Sequence, residues 1–457
     1  MKIVIVGAGV AGAILARRLA RLPGVELHCL ERVGPDDHAE AGTGLNVGPN
    51  AIKALRRLDA ALAAEVEAAS LPWTRWDIAL TDGTPLMALP LSQVADNPGI
   101  RIRWSELYRV LRQGAGAAFR YGCTLESVGA SETAPGKTRV RFTQHGATHE
   151  IDGIDLLVGT DGRYSRVRET FSGAPEPRHI GVAILRVLVP DTSAGLVDDY
   201  GQWFSGCHRL LAFRVPPDHV YIAATYPVAP GAPVQDAWKT EAVMRATYQP
   251  AQGEASPAVR WLLDAMCAQL HDAHWARMQE ADVRFAEPEV DVLYLGDSAH
   301  GMAPTLGQGA TQAMEDACAA ALIVEDAWAR GQRTPRVWLD RIAEARTERL
   351  RFVMDLSVRA TDTMLDGADP VAGTRWKTQA PFQAELAALF RDVALGVPDE
   401  AQCQSANHSP FGLSLSKPGA SPSTLRPFDK LRTGQAQDRP SSGRTGDPTG
   451  RGPRPTA

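Results

Sequence analysis

The first thirty residues constrain this chain more than any other stretch. Met1-Lys-Ile-Val-Ile-Val is a short β-branched run, Gly7-Ala-Gly9-Val-Ala-Gly12 follows at once, and Ala13-Ile-Leu-Ala16-Arg-Arg-Leu19 continues with helical spacing. Strand, glycine turn and helix in direct succession predict the opening of a parallel α/β unit. Gly7 permits the tight turn, Gly9 lets the backbone approach a pyrophosphate, and Gly12 lets the helix pack on the strand, while the helix N-terminus attracts phosphate. A second strand, Val25-Glu-Leu-His-Cys-Leu, ends at Glu31, nineteen residues after Gly12, where a carboxylate can accept hydrogen bonds from an adenosine ribose. The spacing predicts a dinucleotide site and leaves NAD and FAD both open.

Two distant stretches bear on that choice. Ile154-Asp-Leu-Leu-Val-Gly159-Thr-Asp161-Gly162-Arg-Tyr-Ser165-Arg166 is an apolar strand delivering an Asp-Gly turn, with Ser165 at the start of a predicted helix. Val292-Leu-Tyr-Leu-Gly296-Asp297-Ser-Ala-His300 is a second buried strand ending in Gly-Asp, followed by Pro304-Thr-Leu-Gly307-Gln-Gly309-Ala310 and a predicted helix from Thr311 to Ala327. Gly296 allows close approach and Asp297 can bond ribityl hydroxyls. The amides of Gly307 to Ala310 sit at a helix N-terminus facing negative charge. A simple NAD dehydrogenase has no use for this third stretch.

Composition removes several function classes. With 457 residues, 44% of them hydrophobic, the chain can bury a large core in more than one lobe. A formal net charge of -5 leaves no basic field for nucleic acid. The six cysteines, at 29, 123, 207, 267, 318 and 403, form no Cys-x-x-Cys and no metal-ligand spacing with histidine, so no metal is expected and the thiols read as reduced. No apolar run nears the roughly 18 residues of a membrane span, and the start lacks a signal-peptide core, so a cytoplasmic protein is expected. From 404 to 457 the chain turns to Ser, Pro, Gly, Thr and Arg and repeats Arg-Thr-Gly at 432 and 444. That tail is expected to be a disordered low-complexity segment, similar to a translated palindromic intergenic repeat, and receives no chemistry.

The order of the three motifs resembles the single-component flavoprotein aromatic hydroxylases of the p-hydroxybenzoate hydroxylase fold, over roughly residues 1 to 370. Ala41-Gly-Thr-Gly44-Leu45-Asn46-Val-Gly-Pro49-Asn50 is similar to the family segment along the isoalloxazine ring, and Gly181-Val-Ala-Ile-Leu-Arg186 to a strand of its substrate lobe. The resemblance implies an α/β fold: a Rossmann-like FAD-binding domain of the GR2 type, an inserted mixed β-sheet substrate domain and C-terminal helices. The FAD domain would comprise 1–72, 100–172 and 283–334, the substrate domain 73–99 and 173–282, and the closing helices 335–403, with long amphipathic helices near Val337 to Leu365. It adds Val10, Ala11, Arg32 and Leu125 to the cofactor contacts, beside Gly7, Gly9, Gly12, Glu31, Gly44, Leu45, Asn46, Asp161, Gly162, Gly296, Asp297, Pro304, Gly307, Gly309 and Ala310. One departure stands out: many relatives read Arg-x-Asp/Glu-Leu on the helix that reaches the cofactor, whereas this chain reads Arg103-Trp104-Ser105-Glu106-Leu107. Either Arg103 turns in or Trp104 packs on the cofactor.

The implied chemistry is that of the flavin. NADH or NADPH would visit transiently, with Asp161 and Arg166 assisting, and reduce FAD. Dioxygen would then give a C4a-hydroperoxide whose distal oxygen passes to a hydroxybenzoate-, salicylate- or hydroxypyridine-like ring. A group that favours the ionised ring hydroxyl would activate the substrate. His208 and Arg209 could present an imidazole and a guanidinium to a hydroxylated, carboxylated ring, with a surface turn as the plainer reading. Tyr221 joins them as a catalytic candidate, and Arg186 and Pro304 join Arg209 as substrate candidates. A monomer or homodimer is expected.

Three rivals remain. A flavin-dependent halogenase shares the fold but uses an active-site lysine and Trp-x-Trp-x-Ile-Pro; Trp73-Thr-Arg-Trp76-Asp-Ile78 has the wrong spacing, and no lysine lies between Lys53 and Lys137. An oxidase of the same fold and a non-catalytic flavin-binding protein are the others.

Overall fold

The strand Lys2–Val6 has Ile3, Val4 and Ile5 without exposed surface, so both of its faces are covered, as in the centre of a parallel sheet. The computed structural model describes residues 1–35, 43–114 and 116–398. Ala41 and Gly42, the residues from 399 to 403 and the tail from 404 to 457 lie outside the described residues. Five parallel strands form the first sheet, in the order Val292–Tyr294, Leu156–Gly159, Lys2–Val6, Glu26–Leu30 and Phe119–Arg120. The three strands that precede the three motifs are therefore neighbours. All three motifs emerge at the same carboxyl edge, where an α/β sheet binds its ligands.

Helix Gln308–Ala329 organises the interior. Its middle is rich in alanine, and Ala317, Cys318, Ala319, Ala320 and Ala321 have no exposed surface. Small side chains let neighbours approach from several sides: helices Val10–Leu19, Pro49–Leu58 and Pro335–Arg359 all pack against it. The sequence predicts its start at Thr311; the helix begins at Gln308 because Gly307, at φ 65°, takes the left-handed conformation that ends the preceding turn. The predicted long helix near 337–365 runs from Pro335 to Arg359 and tightens into a 3₁₀ turn, Ala360–Met364. No helix among the described residues is long and apolar enough to cross a membrane.

A mixed seven-stranded sheet stands beside this layer, in the order His274–Glu280, Arg178–Pro190, His219–Pro227, His208–Val215, Tyr200–Ser205, Arg75–Leu80 and Pro85–Pro90. The predicted runs Arg209 to Val215 and Val220 to Tyr226 are both strands of it. Side chains alternate between its faces. Leu185, Leu210, Ala212, Ile222 and Ala224 pack in one cluster with helices Glu241–Tyr248 and Pro257–Ala268. Ile184, Tyr200, Leu211, Phe213, Tyr221 and Ala223 join the large core shared with the parallel sheet. Both faces are thus buried.

A Cβ at Gly12 would collide with the Gly7 carbonyl oxygen and the Thr160 hydroxyl, both of which help set the spacing of strand and helix. Gly12→Ala should lower stability by about 1–3 kcal/mol, read as a drop in Tm of the apoprotein. An unchanged Tm would mean that the helix does not pack this closely.

Candidate active site

At the carboxyl edge the first motif is braced from the second. The Thr160 hydroxyl has the carbonyls of Gly7 (2.7 Å) and Val6 (2.9 Å) within reach of its single proton, and Gly7 adopts φ 99° with no room for a side chain against the Thr160 carbonyl. Gly9 caps helix Val10–Leu19 without a side-chain hydrogen bond, and a Cβ there would meet nothing within 4 Å. The open space in front of Gly9, Val10 and Ala11 fits a pyrophosphate.

Glu31 has two tasks. Its carboxylate accepts from the amides of Ala8 (2.6 Å) and Val33 (3.1 Å), and Arg112 Nη2 lies 3.4 Å from it. Arg112 Nε donates to the Ala8 carbonyl at 2.9 Å, its Nη1 is buried without a partner, and its guanidinium lies 4.7 Å from the centre of the Tyr108 ring. Burial, partly opposed by Arg112, pushes the Tyr108 phenol up to about 12. Arg112 and Tyr108 carry no motif signal and were not anticipated. Trp104 pairs with Tyr108 at 5.3 Å between ring centres, while Arg103, half-buried at the cap of helix Trp104–Arg112, has its Nε buried without a partner. Of the two alternatives, Arg103 has the unused polar atom, and Trp104 has an aromatic neighbour on its own helix. Arg32 is exposed.

Asp161 is committed to structure. It accepts from the Ser165 hydroxyl (2.5 Å) and the amides of Arg166 (2.8 Å) and Val167 (3.2 Å), at the start of helix Arg166–Ser172; burial raises its pKa against those bonds. Gly162, at φ 82°, makes the turn, and Arg166 donates to the Leu125 carbonyl at 3.0 Å. Both residues expected to assist a nicotinamide thus have local partners.

The third motif closes the crevice. Gly296, at φ 64°, leaves its amide to Asp316 (3.0 Å), and a Cβ there would stand 3.1 Å from that of Ala313. The Asp297 carboxylate is 39% exposed and 4.0 Å from Arg163, and its Oδ1 lies 3.9 Å from where a Gly309 Cβ would be, beside the amides that open helix Gln308–Ala329. Gly307 faces the Asn46 carbonyl, Ala310 is buried and Pro304 is exposed. Gly44 fits only without a side chain beneath Tyr221 and Phe213; Leu45 is half-buried, and Asn46 Oδ1 is buried without a partner. An open helix start, a partly exposed carboxylate with only a long contact to Arg163 and the orphaned polar atoms of Arg103, Arg112 and Asn46 fit the pyrophosphate, ribityl chain and ring of one FAD.

The inner face of the seven-stranded sheet lies beyond Gly44. Arg209 is 2% exposed, its Nε is buried without a partner, and no carboxylate pairs with it among the described residues. Burial lowers its pKa, while the phenols of Tyr200, Tyr221 and Tyr248 act the other way. Arg186 Nε is likewise buried without a partner, and Arg186 pairs in register with Ala223 of the same face. Burial pushes the Tyr221 phenol up to about 12, so Tyr221 can donate a hydrogen bond and does not act as a base near neutrality. His208 is on the other face: its ring lies 5.7 Å from that of Tyr226 and 6.3 Å from that of Tyr248, and burial lowers its pKa. Neighbours in a strand point oppositely, so the expected pairing of His208 with Arg209 on one ring is not formed. Lys377 was also unanticipated. It is 3% exposed, bonded to Asp362 (2.7 Å), the Ala360 carbonyl (3.0 Å) and Thr363 (3.2 Å), and close enough to Arg209 to feel its charge.

Residues 1–357 match the model of the FAD binding domain family. The chain belongs to that family. It is 30% identical over 373 residues to 3-amino-4-hydroxybenzoate 2-monooxygenase PtmB3 of Streptomyces platensis, covering 77% of this chain and 85% of the relative. It is 28% identical over 334 residues to 2-heptyl-3-hydroxy-4(1H)-quinolone synthase of Pseudomonas aeruginosa, covering 69% and 79%. Among solved structures, Klebsiella pneumoniae HpxO complexed with FAD and uric acid shares the fold at TM-score 0.70 and 19% identity, over 85% of this chain and 96% of that one. This member of the family is an FAD-dependent monooxygenase of aromatic or heteroaromatic rings.

Asp297→Ala should lose most of the bound FAD, and Gly9→Ala should weaken FAD at unchanged apoprotein Tm, because its added methyl meets only the space in front of the helix. Titration of the apoproteins with FAD reads both; wild-type affinity in either would remove that residue from the cradle.

Proposed function

We propose that this monooxygenase hydroxylates an anionic, hydroxylated aromatic or N-heteroaromatic ring, using NADH or NADPH as a transient reductant and dioxygen as oxidant. The observation that carries the reading is Arg209: a guanidinium buried without an anion of its own on the sheet face turned toward Gly44. A buried unpaired charge is costly, and a carboxylate or phenolate that pairs with it relieves that cost. The relatives act on rings of this kind, including the aminohydroxybenzoate in the name of the Streptomyces enzyme.

In this reading segments 1–72, 100–172 and 283–334 hold the cofactor, and segments 73–99 and 173–282 hold the ring. When bound, FAD supplies the two-electron activation of dioxygen and delivery of one oxygen atom to the ring. Arg209 and Arg186 orient the anionic groups, Pro304 borders the ring, and the Tyr221 hydroxyl donates a hydrogen bond. The apolar surface of Leu211, Phe213 and Ala223 keeps water away. Around Arg209 that face carries Tyr200, Gln202, Tyr221, Thr225 and Arg186 and no carboxylate, and its two imidazoles stand apart from Arg209, His274 opposite Arg186 on the edge strand and His219 opposite Val215 at a strand end. Activation therefore rests on the positive field of two guanidiniums, which lowers the pKa of the ring hydroxyl. A monomer or homodimer in the cytoplasm suits this chemistry.

The test is a screen of phenolic and pyridinol acids for acceleration of NAD(P)H oxidation, with products identified by mass. A gain of one oxygen supports the proposal; a halogenated product, peroxide without product, or yellow protein inert to every ring would favour the halogenase, the oxidase or the non-catalytic protein in turn. With an active substrate, Arg209→Met should lower kcat/KM for carboxylated rings by about 10- to 100-fold and change little for uncharged analogues.

The pH dependence separates field from base. The acid limb of kcat/KM should move with the hydroxyl pKa of each substrate and persist in His208→Gln. A limb fixed below the ordinary imidazole value of about 6.5 for all substrates and lost in that variant would reinstate the imidazole.

A further inference from the structure

Buried charge gathers behind the flavin crevice, where the reaction does not use it. Arg346, on helix Pro335–Arg359, has no exposed surface; neither do Glu315 and Asp316 on helix Gln308–Ala329. Its Nε donates to Asp316 at 2.9 Å, its Nη1 to Glu315 at 2.7 Å and its Nη2 to the Gln312 amide oxygen at 2.6 Å. Burial pushes the Asp316 carboxyl up, but His300 and Arg346 outweigh it and hold it below the ordinary range.

Each carboxylate passes the anchorage on to a different cofactor-facing segment. The other oxygen of Asp316 accepts from the Gly296 amide at 3.0 Å and lies 2.5 Å from His300 Nε2. Glu315 accepts from the Asn50 side-chain amide, which also reaches the Gln308 oxygen at 3.2 Å. Beside it, the Gly48 amide donates to Thr311 at 2.9 Å. The Gly296–Asp297 turn and the segment 44–50 are therefore both tied to the Arg346 guanidinium, which belongs to neither, with Arg349 adding a longer contact to Glu315 at 3.5 Å.

We infer that Arg346 is a positioning residue for the flavin, acting through Asp316 on the Gly296–Asp297 turn and through Glu315 on Asn50. A planar fork holds two carboxylates in fixed relative orientation; a lysine ammonium keeps the charge and loses the fork. The inference rests on the reading that Asp297 holds the ribityl chain, so its test includes that residue.

Arg346→Lys, Asp316→Asn, Asp297→Ala and Arg18→Met are compared by FAD titration of each apoprotein, by its Tm, and by the visible circular dichroism of the bound flavin. Arg18 pairs with Glu325 at 2.7 Å and braces the same long helix away from the turn, so it measures what loosening that helix does alone. Asp316→Asn asks the same question as Arg346→Lys should the latter not fold, since an amide cannot accept from Arg346, Gly296 and His300 together. The expected result is an FAD dissociation constant raised at least about tenfold in both network variants, with an altered flavin dichroism, while Arg18→Met stays within about twofold of wild type. Equal weakening by Arg18→Met at an equal fall in Tm, or network variants that bind FAD as wild type does, would overturn the inference. Unchanged FAD affinity in Asp297→Ala alone would instead overturn the reading of the turn.

Discussion

The ion pairs of Arg346 with Glu315 and Asp316 underlie the rest of the molecule. Three charges without solvent contact are tolerable only together: removing one partner from a buried pair costs about 3–5 kcal/mol. Here the constraint is spatial as well as energetic. The two carboxylates stand side by side in the alanine-rich helix Gln308–Ala329, which packs on three other helices, and their remaining hydrogen bonds reach the Gly296 amide and the Asn50 side chain. The interior charge thus supports a crevice whose own walls are mostly glycine and backbone amide. Glycine-rich walls admit a cofactor closely but cannot hold their own shape; the rigidity comes from behind.

The same division of labour recurs along the crevice. Thr160 braces the Gly7 turn, Arg112 and Glu31 brace Ala8, and Asp161 braces the start of the next helix. Unsatisfied groups on Arg103, Arg112 and Asn46 border the crevice, where a polar cofactor can complete them. On the substrate side, the proposed function gives Arg209 the same relation to an anionic ring. Recognition in this protein is a matter of groups left incomplete in a dry setting, and the low dielectric makes each of them selective.

Much of this was legible in the sequence because each motif is local. Gly7 to Gly12, Asp161-Gly162 and Gly296-Asp297 each encode a strand, a turn and a helix start within a dozen residues, and their order carried the family. The network behind them was not legible, since Arg346 and Asp316 meet only through the packing of two helices. A signal existed nonetheless: Glu315-Asp316 interrupts a stretch of alanine and other apolar residues, and acids in such a setting need partners. His208 escaped for a different reason. The expected pairing sets it beside Arg209 on one ring, although neighbours in a strand point to opposite faces, and because both faces of that sheet are buried the apolar pattern does not say which one meets the cofactor.

The central claim is that the ring lies between the Gly44–Asn46 and Pro304–Ala310 segments and the inner face of the sheet, with its anionic group on Arg209. A crystal structure of the FAD-loaded protein with a hydroxylated aromatic acid tests it most directly. The account predicts the acid's carboxylate or phenolate oxygen at about 3 Å from the Arg209 guanidinium. A ring bound on the His208 face, or in the crevice with Arg209 unpaired, would contradict it.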